Sequence, residues 1–176
     1  MDQAKKLIDL AKDGGADAAK FQSYKADTLA SKYSPAYWDT AKEATKSQHE
    51  LFQKYDQFEL DDYNSLAEHC EKNKITFLST PFDKNAVEFL NPLVPFFKIA
   101  SGDVTNIPFL RKIAEKEKPV VLSTGASTLN EINIALDTLN KSGCIDIVIY
   151  CSRQFSKHHT HTSIAMTRND RSFWSS

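Results

Sequence analysis

The chain has 176 residues, 41% hydrophobic and 26% charged, with 22 basic against 23 acidic side chains and a formal net charge of −1. This is the balance of a globular domain with a real core, and it excludes a nucleic-acid or anionic-membrane surface built on bulk charge. No apolar run approaches the ~20 residues of a membrane span, the N-terminus lacks a signal-like apolar stretch, and Cys70, Cys144 and Cys151 show no C-x-x-C spacing, so a cytoplasmic protein with reduced thiols is expected.

In chain order, Ala4, Leu7, Ile8 and Ala11 recur at helical spacing and Gly14-Gly15 supplies a stop. Ala18 to Gln22 reads as a strand. Residues 23–58 form a long polar and aromatic excursion, with Tyr33, Pro35, Tyr37 and Trp38, and a helix is predicted from Ser47, where Ser-Gln-His-Glu has capping-box form. So long an excursion after a strand is commonly functional in a compact domain. The rhythm then tightens. Helices are predicted over 62–72, over 83–90, from Asn106 with Pro108 in the first turn, and from Thr128 with Glu131 completing a capping box. Strands over 75–80, 96–101, 119–124 and 145–151 alternate with them. Apolar strands alternating with helices indicate a parallel sheet covered by helices. The expected class is α/β with about five parallel strands, either part of a (β/α)8 barrel or a small doubly wound sheet.

The domain expectation is one α/β unit over 1–152 followed by a polar tail over 153–176 that carries neither period and is expected to be disordered. His158, His159 and His161 cluster in that tail, but no carboxylates or regular element accompany them, so a metal site is not expected there.

What ends each strand carries the chemistry. In order the ends read Lys20-Phe21-Gln22, Ser79-Thr80-Pro81, Lys98-Ile99-Ala100-Ser101-Gly102-Asp103, Ser123-Thr124-Gly125 and Cys151-Ser152. In parallel β/α folds the C-terminal strand ends share one face, where sites are built. Lys20 and Gln22, two apart, point the same way on a strand. Lys98 stands among Phe96, Phe97 and Ile99, where an unpaired ammonium is expensive and an anion is required. With Thr80, Ser101 and Ser123 these residues are expected to gather at the C-terminal edge of one sheet as a site for a small polyanion. Plainer roles compete: strand-end hydroxyls cap helices, Lys20 can snorkel to solvent, Lys98 can join a structural ion pair, and Asp103 can cap the next helix. The aromatics at 33–38 read as loop packing.

The runs Gly15-Ala16-Asp17-Ala18-Ala19-Lys20-Phe21-Gln22, Phe77-Leu78-Ser79-Thr80-Pro81-Phe82-Asp83, Lys98-Ile99-Ala100-Ser101-Gly102-Asp103 and Leu122-Ser123-Thr124-Gly125 resemble, in order and spacing, the sialic acid (N-acylneuraminate) synthase family over roughly residues 3–152. The resemblance implies a partial (β/α)8 TIM-barrel synthase domain over 1–152, with the tail over 153–176 unmatched, and a transferase of carbohydrate biosynthesis. Such an enzyme condenses phosphoenolpyruvate with N-acetylmannosamine or a related acylated sugar and releases phosphate. Carried over by position, it implies that Lys20, Thr80, Lys98, Ser101 and Ser123 hold phosphoenolpyruvate and that Gln22 touches the sugar. No residue is assigned a catalytic role. It also implies a divalent metal, manganese or magnesium, and a homodimer in the family.

The sequence departs from that pattern at both ends. The family's Glu-x-Gly-x-Asn-His-x-Gly strand is absent before Met1. After Cys151 the expected Tyr-Pro continuation is replaced by Arg153, Phe155 and Ser156. The family's histidine metal ligands belong to a portion further on, and His158, His159 and His161 do not stand in those motifs. An abrupt end to the likeness is the pattern of a frame break or a misjoined exon. The chain is therefore expected to be incomplete and inactive alone, and the family's homodimer is not carried over to it. A non-catalytic anion-binding fragment, or a synthase of another 3-deoxy sugar acid, is the alternative.

Overall fold

The structure, a computed structural model, describes residues 1–152 and 163–167. The chain divides into two compact units, Met1–Leu93 and a second that begins at Val94.

In the first unit, α1 (Asp2–Asp13) leads into β1 (Ala18–Ser23). The turn between them uses Gly15 at φ 82°, a left-handed conformation in which glycine has no Cβ to clash. The excursion contains α2 (Ala26–Leu29) and α3 (Gln48–Tyr55), joined by irregular chain and an isolated antiparallel bridge between Pro35 and Ser47. The Ser47 hydroxyl accepts from Glu50 N at 3.1 Å, as its motif predicts. The Glu50 carboxylate, however, reaches Lys46 N rather than Ser47 N, so the box closes one residue early. α4 (Leu60–Lys72) starts at a capping box of Glu59 and Asp62. β2 (Thr76–Pro81) and α5 (Lys84–Leu90) follow, the latter capped by Asp83 accepting from Ala86 N at 2.8 Å. β1 and β2 pair in parallel, with Lys20 beside Leu78 and Gln22 beside Thr80.

In the second unit, β3 (Phe97–Ile99) runs into a 3₁₀ turn, Ser101–Asp103, and then α6 (Ile107–Ala114), β4 (Val120–Ser123), α7 (Leu129–Lys141) and β5 (Ile147–Ser152). Both halves of the Thr128–Glu131 capping box are present on α7. β3, β4 and β5 are parallel neighbours. The core collects Phe97, Ile99, Leu110, Ile113, Leu122 and Leu139, each fully buried. Removing such side chains from water is the main favourable contribution to folding, ~1.5–3 kcal/mol apiece.

Parallel strands alternating with helices, in both units, are those of a partial (β/α)8 barrel. Two expectations need correction. The strands form two sheets, β1–β2 and a four-stranded one, where a single sheet was expected. β3 is only three residues long, and its recorded ladder is with β4. Further, β6 (Ser163–Thr167) pairs antiparallel with β5, inside the stretch read as having no regular element. The alternation Ser-Ile-Ala-Met-Thr is a short period-2 signal that a search for longer runs passes over. Arg153, Phe155, Ser156 and the histidines at 158, 159 and 161 lie outside the described residues.

Candidate active site

In the first unit, β1 alternates as required. Ala19 and Ser23 are buried, while Lys20 and Gln22 are exposed on the opposite face. The parallel register adds Thr80, the partner of Gln22, to the Lys20–Gln22 face. On the other face Phe21 stacks on Phe77 with ring centroids 5.9 Å apart, and the Ser23 and Ser79 hydroxyls hydrogen-bond at 2.7 Å.

Lys20 and Gln22 line a cavity of about 410 Å³ together with Tyr24, Tyr55, Asp56 and Gln57, over Phe58 and Tyr63. This is within the size range of small-molecule sites, ~300–1,000 Å³. Its wall of amide, phenol, carboxylate and ammonium groups suits a polyhydroxylated ligand. Thr80 does not line it and is 1% exposed.

The loop wall is fixed by one carboxylate. Asp56 Oδ2 accepts from Ala26 N at 2.9 Å, and Oδ1 lies 3.1 Å from Lys25 Nζ, an ion pair whose approach is off the hydrogen-bonding direction. Lys25 also reaches Glu59 Oε1 at 2.9 Å and donates to Phe58 O at 3.3 Å. The Glu59 hydrogen bond, ahead of the Asp56 contacts, holds the Lys25 pKa above its ordinary value. Burial, then the nearby Asp56, pushes the Tyr24 phenol up, so it stays a neutral donor.

In the second unit, Phe97 and Ile99 face the core and Lys98 lies half-buried on the other face of β3. Register pairs Lys98 with Val121, so Ser123, two residues on, shares its face. Ser101 opens the 3₁₀ turn that ends β3, and a Cβ placed on Gly125 would lie 3.6 Å from its hydroxyl. The ends of β3 and β4 are thus adjacent. Ala126, in the same turn, holds a left-handed φ of 59°, an uncommon conformation for a residue with a Cβ.

Asp103 does not cap α6. Its carboxylate accepts from Asn106 Nδ2 at 3.2 Å. Burial raises its pKa, opposed by that hydrogen bond and by the Lys98 charge. Asp103 is thereby a counter-charge near Lys98. Tyr150, the register partner of Ser123, is a neighbour that strand-end reading missed. Only the pairing of strands identifies it.

The aromatics of the excursion separate. Trp38 Nε1 donates to Glu43 O and Thr45 O, both at 3.2 Å, and packs the loop, whereas Tyr33 and Tyr37 are exposed. Among the described residues no group of three or more His, Cys, Asp or Glu is arranged to hold a metal ion. The described donors therefore do not fit the divalent metal that the resemblance implies. No helix among them is long and apolar enough to cross a membrane.

The NeuB family pattern matches residues 7–169, running past Ser152, where the motif likeness stops. The chain is 45% identical over 143 residues to the N,N'-diacetyllegionaminic acid synthase of Campylobacter jejuni, covering 80% of this chain and 42% of the relative. It is 34% identical over 148 residues to the N-acetylneuraminate-9-phosphate synthase of Homo sapiens, covering 82% and 41%. Among solved structures, the N-acetylneuraminic acid (sialic acid) synthetase from Leptospira borgpetersenii, in complex with citrate, matches with a TM-score of 0.71 at 26% identity, over 89% of this chain and 50% of that one. The chain spans about two fifths of the length of these curated relatives.

Proposed function

The chain belongs to the NeuB family, and from that premise we propose that its function is that of a sialic-acid-type synthase, joining phosphoenolpyruvate to an N-acylated amino sugar. The family match over residues 7–169 is the observation that carries this reading. The acceptor is proposed as a class, because the relatives' names cover more than one nonulosonic acid product. Another 3-deoxy sugar acid is compatible with the same chemistry.

In the proposed reaction, C3 of phosphoenolpyruvate attacks the sugar aldehyde and a C–C bond forms. Positive charge develops at C2, water adds there, and the C2–O bond breaks with release of phosphate. Lys20, Thr80, Lys98, Ser101 and Ser123 are proposed to hold the phosphate and carboxylate, and Gln22 the sugar. The part asked of these residues is electrostatic, fixed donors around an anion while charge redistributes. The exposed Lys20 and half-buried Lys98 on their strand faces support it. So does the place of Gln22 in the polar cavity. A divalent metal would polarise the aldehyde where the family's ligands hold one; no step here is assigned to it.

The test is phosphate release from phosphoenolpyruvate with N-acetylmannosamine in manganese buffer, beside calorimetric titration of each substrate. Binding of both, with loss of phosphoenolpyruvate binding in Lys98→Ala, supports the reading. Binding of neither contradicts it. Turnover by this chain would overturn the expectation that it is inactive alone.

A further inference from the structure

The sugar-facing Gln22 stands at the end of β1, and what fixes it there is a residue that strand-end reading does not reach. Tyr63, on the first turn of α4, donates its hydroxyl to Gln22 O at 3.1 Å across a sequence separation of 41 residues. Its ring is only 5% exposed. Phe58 meets it edge-on at 5.9 Å between centroids, and Phe89 lies tilted against it at 5.2 Å. The ring therefore has little freedom, and its hydroxyl is a fixed donor. Burial raises the phenol's pKa, with the Ser23 hydroxyl opposing, so it keeps its proton at neutral pH. Gln22 and Tyr63 also line the same cavity.

We infer that Tyr63 is a positioning residue: by holding the Gln22 carbonyl it sets the direction in which the Gln22 side chain enters the cavity, and so sets affinity for the acylated amino sugar. Tyr63 acts through Gln22 and is not assigned a contact with the sugar. The Asp56 clamp on Ala26 N and Lys25 serves the same end, because Phe58, which packs on Tyr63, follows two residues after Asp56. A positioned amide binds a hydroxyl without first losing its own rotational freedom, which is where preorganisation gains affinity. The inference rests on the synthase reading for the identity of the ligand.

The experiment uses Tyr63→Phe, which removes one oxygen and keeps the ring packing. N-acetylmannosamine and phosphoenolpyruvate are titrated separately into wild type and variant, and the Gln22 ¹³C′ resonance is followed without ligand. Loss of one hydrogen bond should weaken the sugar about fivefold, leave phosphoenolpyruvate unchanged, and shift the Gln22 ¹³C′ signal while the Phe21 signal stays. Unchanged sugar affinity in the variant, with wild type binding normally, overturns the inference and leaves the synthase reading intact. Equal weakening of both ligands with a lowered melting point marks a structural role and also overturns it. A wild type that binds neither ligand defeats the synthase reading itself and the inference with it.

Discussion

The excursion over residues 24–59 and the β/α run over 97–152 are held by different forces. In the run, fully buried Phe97, Ile99, Leu110, Ile113, Leu122 and Leu139 form a continuous apolar core. In the excursion the buried residues are Ala26, Thr45 and His49, and no large aliphatic side chain is among them. Its shape comes instead from directed contacts: Asp56 to Ala26 N, Trp38 Nε1 to two carbonyls, His49 to Asp27 at 2.8 Å, and Lys54 to Glu43 at 2.8 Å. Apolar burial is non-directional and tolerant, whereas hydrogen bonds specify geometry with little net stability. The cavity wall is built from the second kind of contact.

The largest effect should come from the apolar region. Leu122→Ala at the centre of β4 should cost about 2–5 kcal/mol in denaturant unfolding, transfer loss plus cavity. A cost below that of any excursion variant would break the comparison. Next, Asp56→Ala should cost about 1–3 kcal/mol, because it leaves Ala26 N without its acceptor and removes one of the ion-pair partners of Lys25. Here the sharper reading is local: amide exchange of Ala26 should quicken while that of Leu122 does not. Uniform quickening would mean that the clamp supports the whole fold and not the loop wall alone.

Titration should separate the bonded carboxylates Asp27 and Glu43 from the buried Asp103 by sign. Asp27, through its hydrogen bond to His49, and Glu43, through Lys54, have pKa values held below their ordinary 3.8 and 4.5. Each contributes stability that is present above those ordinary values and lost as pH falls through the lowered folded ones. Asp103 is the reverse, its pKa raised above 3.8 chiefly by burial. On acidification it binds a proton in the native state first, so its contribution becomes more favourable as pH falls through the raised value. The capping-box Glu131 behaves like the excursion carboxylates, lowered by its bonds to Thr128. Unfolding at stepped pH should therefore show the acid-side slope of Asp27→Asn and that of Asp103→Asn departing from wild type in opposite directions. Slopes departing in the same direction would contradict the assigned environments. The smallest effect is expected at Ala126, where Ala126→Gly should gain up to about 1 kcal/mol by relieving the positive φ, read as a rise in melting midpoint.

The same division explains what the sequence made legible. Strand–helix alternation was readable because burial imposes a period, and the caps at Ser47 and Thr128 because each bond is made within three residues. Lys20 and Gln22 share a face by strand geometry alone, as do Lys98 and Ser123 once β3 and β4 are paired. The Tyr63–Gln22 bond, the Asp56 clamp and the place of Tyr150 beside Ser123 were not readable, because each joins segments remote in sequence through one contact that leaves no period. The division of strands between two sheets escaped because a three-residue strand carries no period, and the short β6 because its brief alternation is passed over in a search for longer runs.

The proposed role of the two lysines, one in each unit, is tested most directly by calorimetric titration of phosphoenolpyruvate into wild type, Lys20→Ala and Lys98→Ala. Lys98 is half-buried and Lys20 exposed, so the Lys98 charge is less screened by water and should contribute more to anion binding. The account predicts weak but measurable binding to wild type, a partial loss in Lys20→Ala and the greater loss, about tenfold or more, in Lys98→Ala. Equal affinity in wild type and Lys98→Ala would place the anion elsewhere and contradict the account.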